Sequence, residues 1–342
     1  MQEMNGTCDQ CLCTSQFTYS ALNCFENHNT CQLFQTFPLS YHLEKTRNTR
    51  LYFPQQVFPN LSQCMSNLNS LLNQLKMANM TIINVPNPRD AIIDDHGYLV
   101  TIEQFTNQLT RFDPTTLNTI SRLSLPNIPQ GVEKDVVTYF NGSYYIGGNS
   151  DPITVIDSEN LTVISNITTS SSGIRGLIFL QNGQTMIVAS CATSSLIFLN
   201  RTSISPITYT YSFSQLTSFV CPHAVWRVND TFFYVTSYYL KLLYSFTATN
   251  TNAQWNENFL FNVSNGNELG GAARVTIDNL NRFWFAYETD TIWIYDQVGT
   301  QLSNLTIPNS AIFDIRIMNN YLMYLIVAKT NQVIRLDPNI QC

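Results

Sequence analysis

The sequence has little charge. Asp, Glu, Lys and Arg make up 12% of its 342 residues, about half the share usual in soluble domains. With a net charge of −6 and no Lys/Arg cluster, it offers no footprint for nucleic acid or for an anionic membrane surface. Histidine is scarce as well, at four residues, which leaves few imidazoles for metal ligation or proton transfer. No apolar run reaches the ~18 residues of a membrane-spanning helix. The opening Met1-Gln-Glu-Met-Asn-Gly has no apolar core, so the numbering is expected to start at or near a mature N-terminus. Gly-x-Ser-x-Gly, His-Glu-x-x-His and a phosphate-binding loop are all missing, and with them the signalled forms of nucleophilic, zinc and phosphoryl chemistry.

What is present is a repeat. Arg111-Phe-Asp-Pro-Thr-Thr-Leu117 returns in altered form, each copy two or three strand-forming residues followed by a polar residue suited to a tight turn. Asp113, Asp157, Asn200, Thr247, Asp296 and Asp337 form one column, at intervals of 44, 43, 47, 49 and 41 residues. A period in the forties carried by strands and turns predicts a β-propeller. Six columns predict six blades, over 88–126, 134–169, 174–213, 222–264, 272–308 and 312–341.

Ile83-Asn-Val-Pro-Asn87 echoes Leu123-Ser-Leu-Pro-Asn127 and Leu305-Thr-Ile-Pro-Asn309, which follow their turn columns and are therefore fourth strands. The sixth repeat has no such segment of its own. Residues 81–86 are expected to supply it and close the ring, removing an exposed sheet edge. Within each repeat an inner turn is marked by Asp95-His-Gly97, Asn141-Gly142, Asn182-Gly183, Asn229-Asp230, Asn279-Leu-Asn281 and Asn319-Asn320, residue types that accept positive φ. Second strands such as Thr185-Met-Ile-Val-Ala189 and Leu322-Met-Tyr-Leu-Ile-Val327 are continuously apolar, as expected of strands buried on both faces. The six repeats resemble NHL-repeat and related six-bladed propellers over about three quarters of the chain. That resemblance implies a fold and no single activity.

Six of the nine cysteines, Cys8, Cys11, Cys13, Cys24, Cys31 and Cys64, precede residue 65. Such crowding reads as a disulfide framework in an oxidising compartment. Zinc is the weaker reading, since Cys8-x-x-Cys11 lacks a matching pair. Residues 1–59 are expected to form a small disulfide-rich α+β domain. A stretch of helical character runs up to Leu22, followed by strands at Asn23–Phe25 and Thr30–Phe34. The Cys-aromatic and Thr-Cys-x-Leu hairpin resembles the PAN/apple module, which implies binding of protein or carbohydrate. Cys13 is an extra cysteine and leaves the pairing open. Leu61, Cys64, Leu68, Leu71, Leu72 and Leu75 then mark a connecting helix over 60–80, capped by Asn60, with the propeller at 81–342. Cys191 and Cys221 fall in loops that open on one face of neighbouring blades and are expected to bond. Nine cysteines cannot all pair within one chain, which makes the last residue, Cys342, a candidate for an intermolecular bond.

Ten sequons begin at Asn5, Asn60, Asn79, Asn141, Asn160, Asn166, Asn200, Asn229, Asn262 and Asn304. Several fall at turns or strand ends, which suits a secreted glycoprotein.

Counting back about seven residues from each inner turn gives Asp90, Asp135, Arg175, His223, Arg274 and Asp314, one per blade at the axial mouth. Three carboxylates against two arginines and a histidine read as a self-neutralising ring rather than a binding site. Gluconolactonase-like propellers bind a divalent metal through acidic and amide side chains, and two arginines in this ring oppose that. Amidoglycolate-lyase propellers hold zinc with three axial histidines, where the propeller here has only His96 and His223. The expectation is therefore an all-β, non-catalytic, secreted protein without cofactor or metal. It would be a structural subunit of a matrix, coat or filament, with copies of itself or another extracellular protein or glycan as partner. A monomeric receptor or lectin-like propeller is the alternative, and an unrecognised hydrolase or lyase the third.

Overall fold

In the computed structural model, residues 68–340 are described apart from 126–132, 151, 251–253, 264–269 and 319–320. Before residue 68 only the backbone of four strands is described: β1 (Gln2–Asn5), β2 (Ala21–Phe25), β3 (Thr30–Phe34) and β4 (Thr49–Tyr52). The chain divides into two compact units, Met1–Asn67 with Cys342, and Leu68–Gln341.

The first unit contains an antiparallel sheet of order β1-β3-β2-β4. Its β2–β3 register sets Cys24 opposite Cys31. Ala21 and Leu22, expected to end a helical stretch, are strand residues instead, because Leu22 pairs with Leu33 on one side and Tyr52 on the other. Cys8, Cys11, Cys13, Cys64, Cys342 and Asn60 lie outside the described residues, and with them the proposed framework.

The second unit is a six-bladed propeller. Blade one is β6 (Pro88–Ile93), β7 (Leu99–Glu103), β8 (Gln108–Phe112) and β9 (Thr119–Ser124). Blade two is β10 (Lys134–Phe140), β11 (Ser143–Gly148), β12 (Ile153–Asp157) and β13 (Val163–Ile167). Blade three is β14 (Ile174–Leu180), β15 (Thr185–Ser190), β16 (Ser195–Ile204) and β17 (Ile207–Leu216). Blade four is β18 (Pro222–Asn229), β19 (Phe232–Ser237), β20 (Leu242–Thr247) and β21 (Asn256–Asn262). Blade five is β22 (Arg274–Ile277), β23 (Phe283–Ala286), β24 (Thr291–Tyr295) and β25 (Gln301–Thr306). Blade six joins β26 (Ile312–Ile317), β27 (Met323–Val327) and β28 (Gln332–Asp337) to β5 (Asn79–Asn84). First strands lie side by side around the axis, from β6 through β10, β14, β18, β22 and β26 back to β6.

The closing strand expected over 81–86 begins two residues earlier. It pairs with β28 along its whole length, Asn79 opposite Asp337 and Asn84 opposite Gln332. A helix, α1 (Leu68–Lys76), precedes it and buries Leu71, Leu72 and Leu75, the i, i+1, i+4 stripe that one helical face allows. Ile83 packs into the layer between blades six and one, whereas Ile82 is 48% exposed. Ile83→Ala should therefore cost about 1 kcal/mol, half the penalty of a fully buried site, and Ile82→Ala under about 0.5 kcal/mol. Equal shifts of the urea midpoint for the two would show that β5 does not hold the ring closed.

The turn column has a direct cause. Asp113, Asp157 and Asp296 each stand at the end of a third strand and accept, through Oδ1, backbone N–H groups two to four residues ahead. Such Asx turns stop the strand and reverse the chain. Asn200 departs from the column. The chain does not turn there; β16 runs on to Ile204, and the Asn200 amide donates sideways to Ser212 Oγ instead. Inner turns use positive φ as expected at Gly97, at Asn141 and Gly142, and at Asn182 and Gly183.

Second strands β7, β11, β15, β23 and β27 are buried throughout, since each is covered by a blade on both faces. Apolar layers fill the spaces between adjacent blades, as with Val136, Tyr145, Val188 and Leu199 between blades two and three. In β19, Phe232 and Tyr234 remain half-exposed.

Candidate functional site at the axial mouth

Near the start of five of the first strands, the pairing with the second strand slips by one residue, at Arg89, Asp135, Arg175 and Phe313 and over His223–Ala224. A β-bulge breaks strict alternation and lets consecutive side chains turn toward the same side. Blade five has no such slip, and there Arg274 itself opens the first strand.

Arg274, from blade five, is the centre of the cluster. Its guanidinium lies 3.0 Å from Asp90 of blade one and 3.8 Å from Asp314 of blade six. It also donates to the backbone carbonyl of Arg175 at 2.6 Å and of Asp135 at 3.2 Å, in blades three and two. One side chain thus ties four other blades across the axis. Asp90 further accepts the Val137 N–H at 2.8 Å, and Asp314 accepts the Ala91 N–H at 3.0 Å. Each carboxylate therefore also bonds to the next blade's backbone.

Of the six residues expected in the ring, five are joined by ion pairs. Arg175 pairs with Asp135 and reaches Asn149 at 2.6 Å. His223 does not join them. Its Nδ1 donates to the Ala273 carbonyl at 2.6 Å, and burial, with Arg274 and Arg175 nearby, holds its pKa well below the ordinary value. It is neutral, and the expected balance of three cations against three anions is corrected accordingly. Two further arginines supply the charge. Arg316 lies 2.8 Å from Asp90 and 3.3 Å from Asp314. Arg89 lies 3.5 Å from Asp135 and sits over the Phe313 ring at 4.1 Å. Arg89 adjoins Asp90 and Arg316 follows Asp314 by two, positions that a count of one residue per blade passes over.

Burial pushes the Asp314 carboxyl up to about 7; Arg316 pulls it down, Asp90 pushes it further up, and Arg274 pulls it down again. Its folded pKa lies above its unfolded value of 3.8, so folding takes up a proton between the two. Stability should rise as pH falls from about 7 toward 4, by at most about 1.4 kcal/mol per pH unit, and be lost as pH climbs through 7. Asp314→Asn should flatten that stretch of the urea-midpoint profile. A wild-type profile that falls on acidification across this window would refute the assignment.

Among the described residues one cluster has metal-ligand geometry: Asp94, Asp95 and His96, with ligand atoms within 4.8 Å of one another. The cluster satisfies itself. Asp94 accepts the His96 and Tyr98 N–H groups and the Tyr144 hydroxyl, the last at 2.5 Å. His96 Nε2 lies 2.9 Å from Glu159.

A second concavity lies between blades four and five, where β19 is not fully covered. This cleft of about 500 Å³ is walled by Trp226, Phe232, Tyr234 and Phe283, with Asn281 and Gln297 at its rim. Tyr234 meets Phe283 edge-to-face, with centroids 5.1 Å apart. Aromatic walls with amide groups suit flat, hydroxylated ligands. The sequence hid it, because Phe232, Tyr234 and Phe283 read like the aromatics of the buried second strands β11 and β27.

Cys191 and Cys221 form a disulfide. Asn79, Asn141, Asn160, Asn166, Asn229 and Asn262 are exposed, and Asn200 and Asn304 half-buried.

No known protein family matches the sequence, and no curated protein does. Among solved structures, the β-propeller domain of Cps50 (Swd1) from Myceliophteria thermophila is similar with a TM-score of 0.56 at 8% identity, covering 75% of this chain and 99% of that one. Virginiamycin B lyase from Staphylococcus aureus is similar with a TM-score of 0.54 at 12% identity, covering 76% and 99%. At such identities the likeness is one of fold.

Proposed function

We propose that this chain is a non-catalytic secreted glycoprotein that works by contact, as a subunit of an extracellular matrix, coat or filament. The observation that carries this reading is the Arg274 tie. The axial mouth is occupied by the protein's own guanidinium, bonded to four blades, so the outer surfaces are left to meet other molecules. The Cys191–Cys221 bond suits an oxidising compartment, and the exposed sequons suit glycosylation there. The Asp-Pro-x-Thr turn chemistry keeps the NHL type as the subgroup of choice. Partners are further copies of this chain or other extracellular protein or glycan. Light scattering and electron microscopy of the secreted full chain should show a defined multimer or an extended assembly. A discrete monomer at every concentration reached would overturn the proposal.

The aromatic cleft between blades four and five favours a second reading, a monomeric lectin-like binder. Glycan-array binding that is lost in Trp226→Ala would support it.

A further inference from the structure

An outer strand presents a row of backbone N–H and C=O groups without a partner strand, open to pairing with another chain. Charge on such a strand opposes pairing, and so does bulk attached to it. Five of the six outer strands here carry a charge or, on the glycoprotein reading, an acceptor site for such bulk. β9 carries Arg122 and β21 carries Glu257, while β13, β25 and β5 carry the sequon asparagines Asn166, Asn304 and Asn79.

β17 has neither. It reads Ile207-Thr-Tyr-Thr-Tyr-Ser-Phe-Ser-Gln-Leu216, without charge, proline or sequon, and is rich in β-branched and aromatic residues. It is also ten residues long, against five to seven in the others. The length follows from the missing turn at Asn200. β15 pairs with β16 only as far as Asn200, so Arg201–Ile204 and the β17 residues opposite run on as a two-stranded ribbon, anchored where Tyr209 and Ile207 pack between blades two and three. Ile204 at its tip is 75% exposed and Tyr211 56%. A two-stranded ribbon is marginal by itself and gains from further strands.

We propose that β17 pairs antiparallel with β17 of a second copy of this chain, about a two-fold axis at Tyr209. In that register Thr208 meets Thr210 of the second copy and Ile207 meets Tyr211, while Tyr209, whose ring is buried with its hydroxyl on the Gly183 carbonyl, takes part through its backbone alone. Hydroxyl then faces hydroxyl and apolar surface faces apolar surface, the pairings that favour antiparallel strands. A two-fold contact is self-complementary, and a strand of near-palindromic, uncharged sequence meets that condition. The register slip between Tyr211 and Phe213 bends the strand and confines the pairing to the Ile207–Tyr211 half. Asn200 lies opposite Thr210 one strand inside and turns its amide to Ser212, outside the Ile207–Tyr211 half. Ribbon on ribbon makes a continuous four-stranded sheet.

This inference rests on the assembly reading and names its surface. The test is sedimentation of the secreted full chain against concentration by analytical ultracentrifugation, for wild type and three variants. Thr208→Lys with Thr210→Lys sets like charges opposite each other across the two-fold and should weaken association about tenfold or more. Thr208→Lys with Thr210→Glu in one chain sets opposite charges there and should restore it. Gln301→Lys, on the outer strand β25, should leave it unchanged. Melting temperatures within a degree or so of wild type would show that each variant folds. A wild type that associates and is indifferent to the double lysine change overturns the β17 contact and leaves the assembly reading standing. A wild type that stays monomeric overturns both.

Discussion

Arg274→Met should be the most damaging single substitution at the axis, lowering stability by about 3–5 kcal/mol, the range found when a buried ion pair loses one partner. Asp90 and Asp314 are both about 1% exposed, so neither gains water when the guanidinium is removed. Arg316 would be left to serve both carboxylates alone. The carbonyls of Asp135 and Arg175 would lose a charged donor in the same step. Arg175→Met is expected to cost less, about 1–2 kcal/mol, because its side chain is 19% exposed and Asp135 keeps Arg89 and Gln104. Adding Asp314→Asn to Arg274→Met should return part of the loss in alkaline solution, where Asp314 would otherwise be a stranded charge, and little at neutral pH, where loss of Arg274 leaves it protonated. Urea midpoints at unchanged slope measure all three. A loss under about 1 kcal/mol for Arg274→Met would mean that the mouth is not tied as described.

The blade count and the closing strand were legible because they rest on turn chemistry and periodicity, which are local. Asp113, Asp157 and Asp296 stop their strands by bonding to amides a few residues ahead, and a linear sequence displays that. Asn200 looks like a member of the same column and is not one, since an amide placed on a strand can bond across to Ser212 as easily as forward. The ring was half legible for a related reason. Its positions follow from strand spacing, and that spacing led to Asp135, Arg175 and Arg274. Which of two neighbouring residues turns inward is decided by the bulges, and these arise from contact between blades far apart in sequence. Arg89, Arg316 and the neutral state of His223 therefore needed the fold. The cleft between blades four and five needed it too, because only incomplete cover distinguishes Phe232 and Tyr234 from the core aromatics around them.

The second large effect concerns the disulfide. Replacing Cys191 and Cys221 together by Ser should lower stability by about 3–4 kcal/mol, the chain-entropy estimate for a closed loop of this length. The two are 30 residues apart, and the loop they close contains the whole β16–β17 hairpin. Cys191 follows the second strand of blade three and Cys221 precedes the first strand of blade four, so the bond joins neighbouring blades at the root of that hairpin. The surrounding contacts are modest. Cys191 N–H donates to the Gly173 carbonyl at 2.8 Å, and Cys221 N–H lies 3.4 Å from Ser194 Oγ. Backbone bonds of this kind contribute about 1 kcal/mol each and do not replace a covalent constraint on the unfolded chain. A reducing agent should lower the urea midpoint of the wild type by the same amount and leave the double variant, measured alongside, unaffected by treatment at this bond. If the double variant unfolds within about 1 kcal/mol of wild type, the bond contributes little, and the packing between blades three and four suffices to hold the hairpin in place.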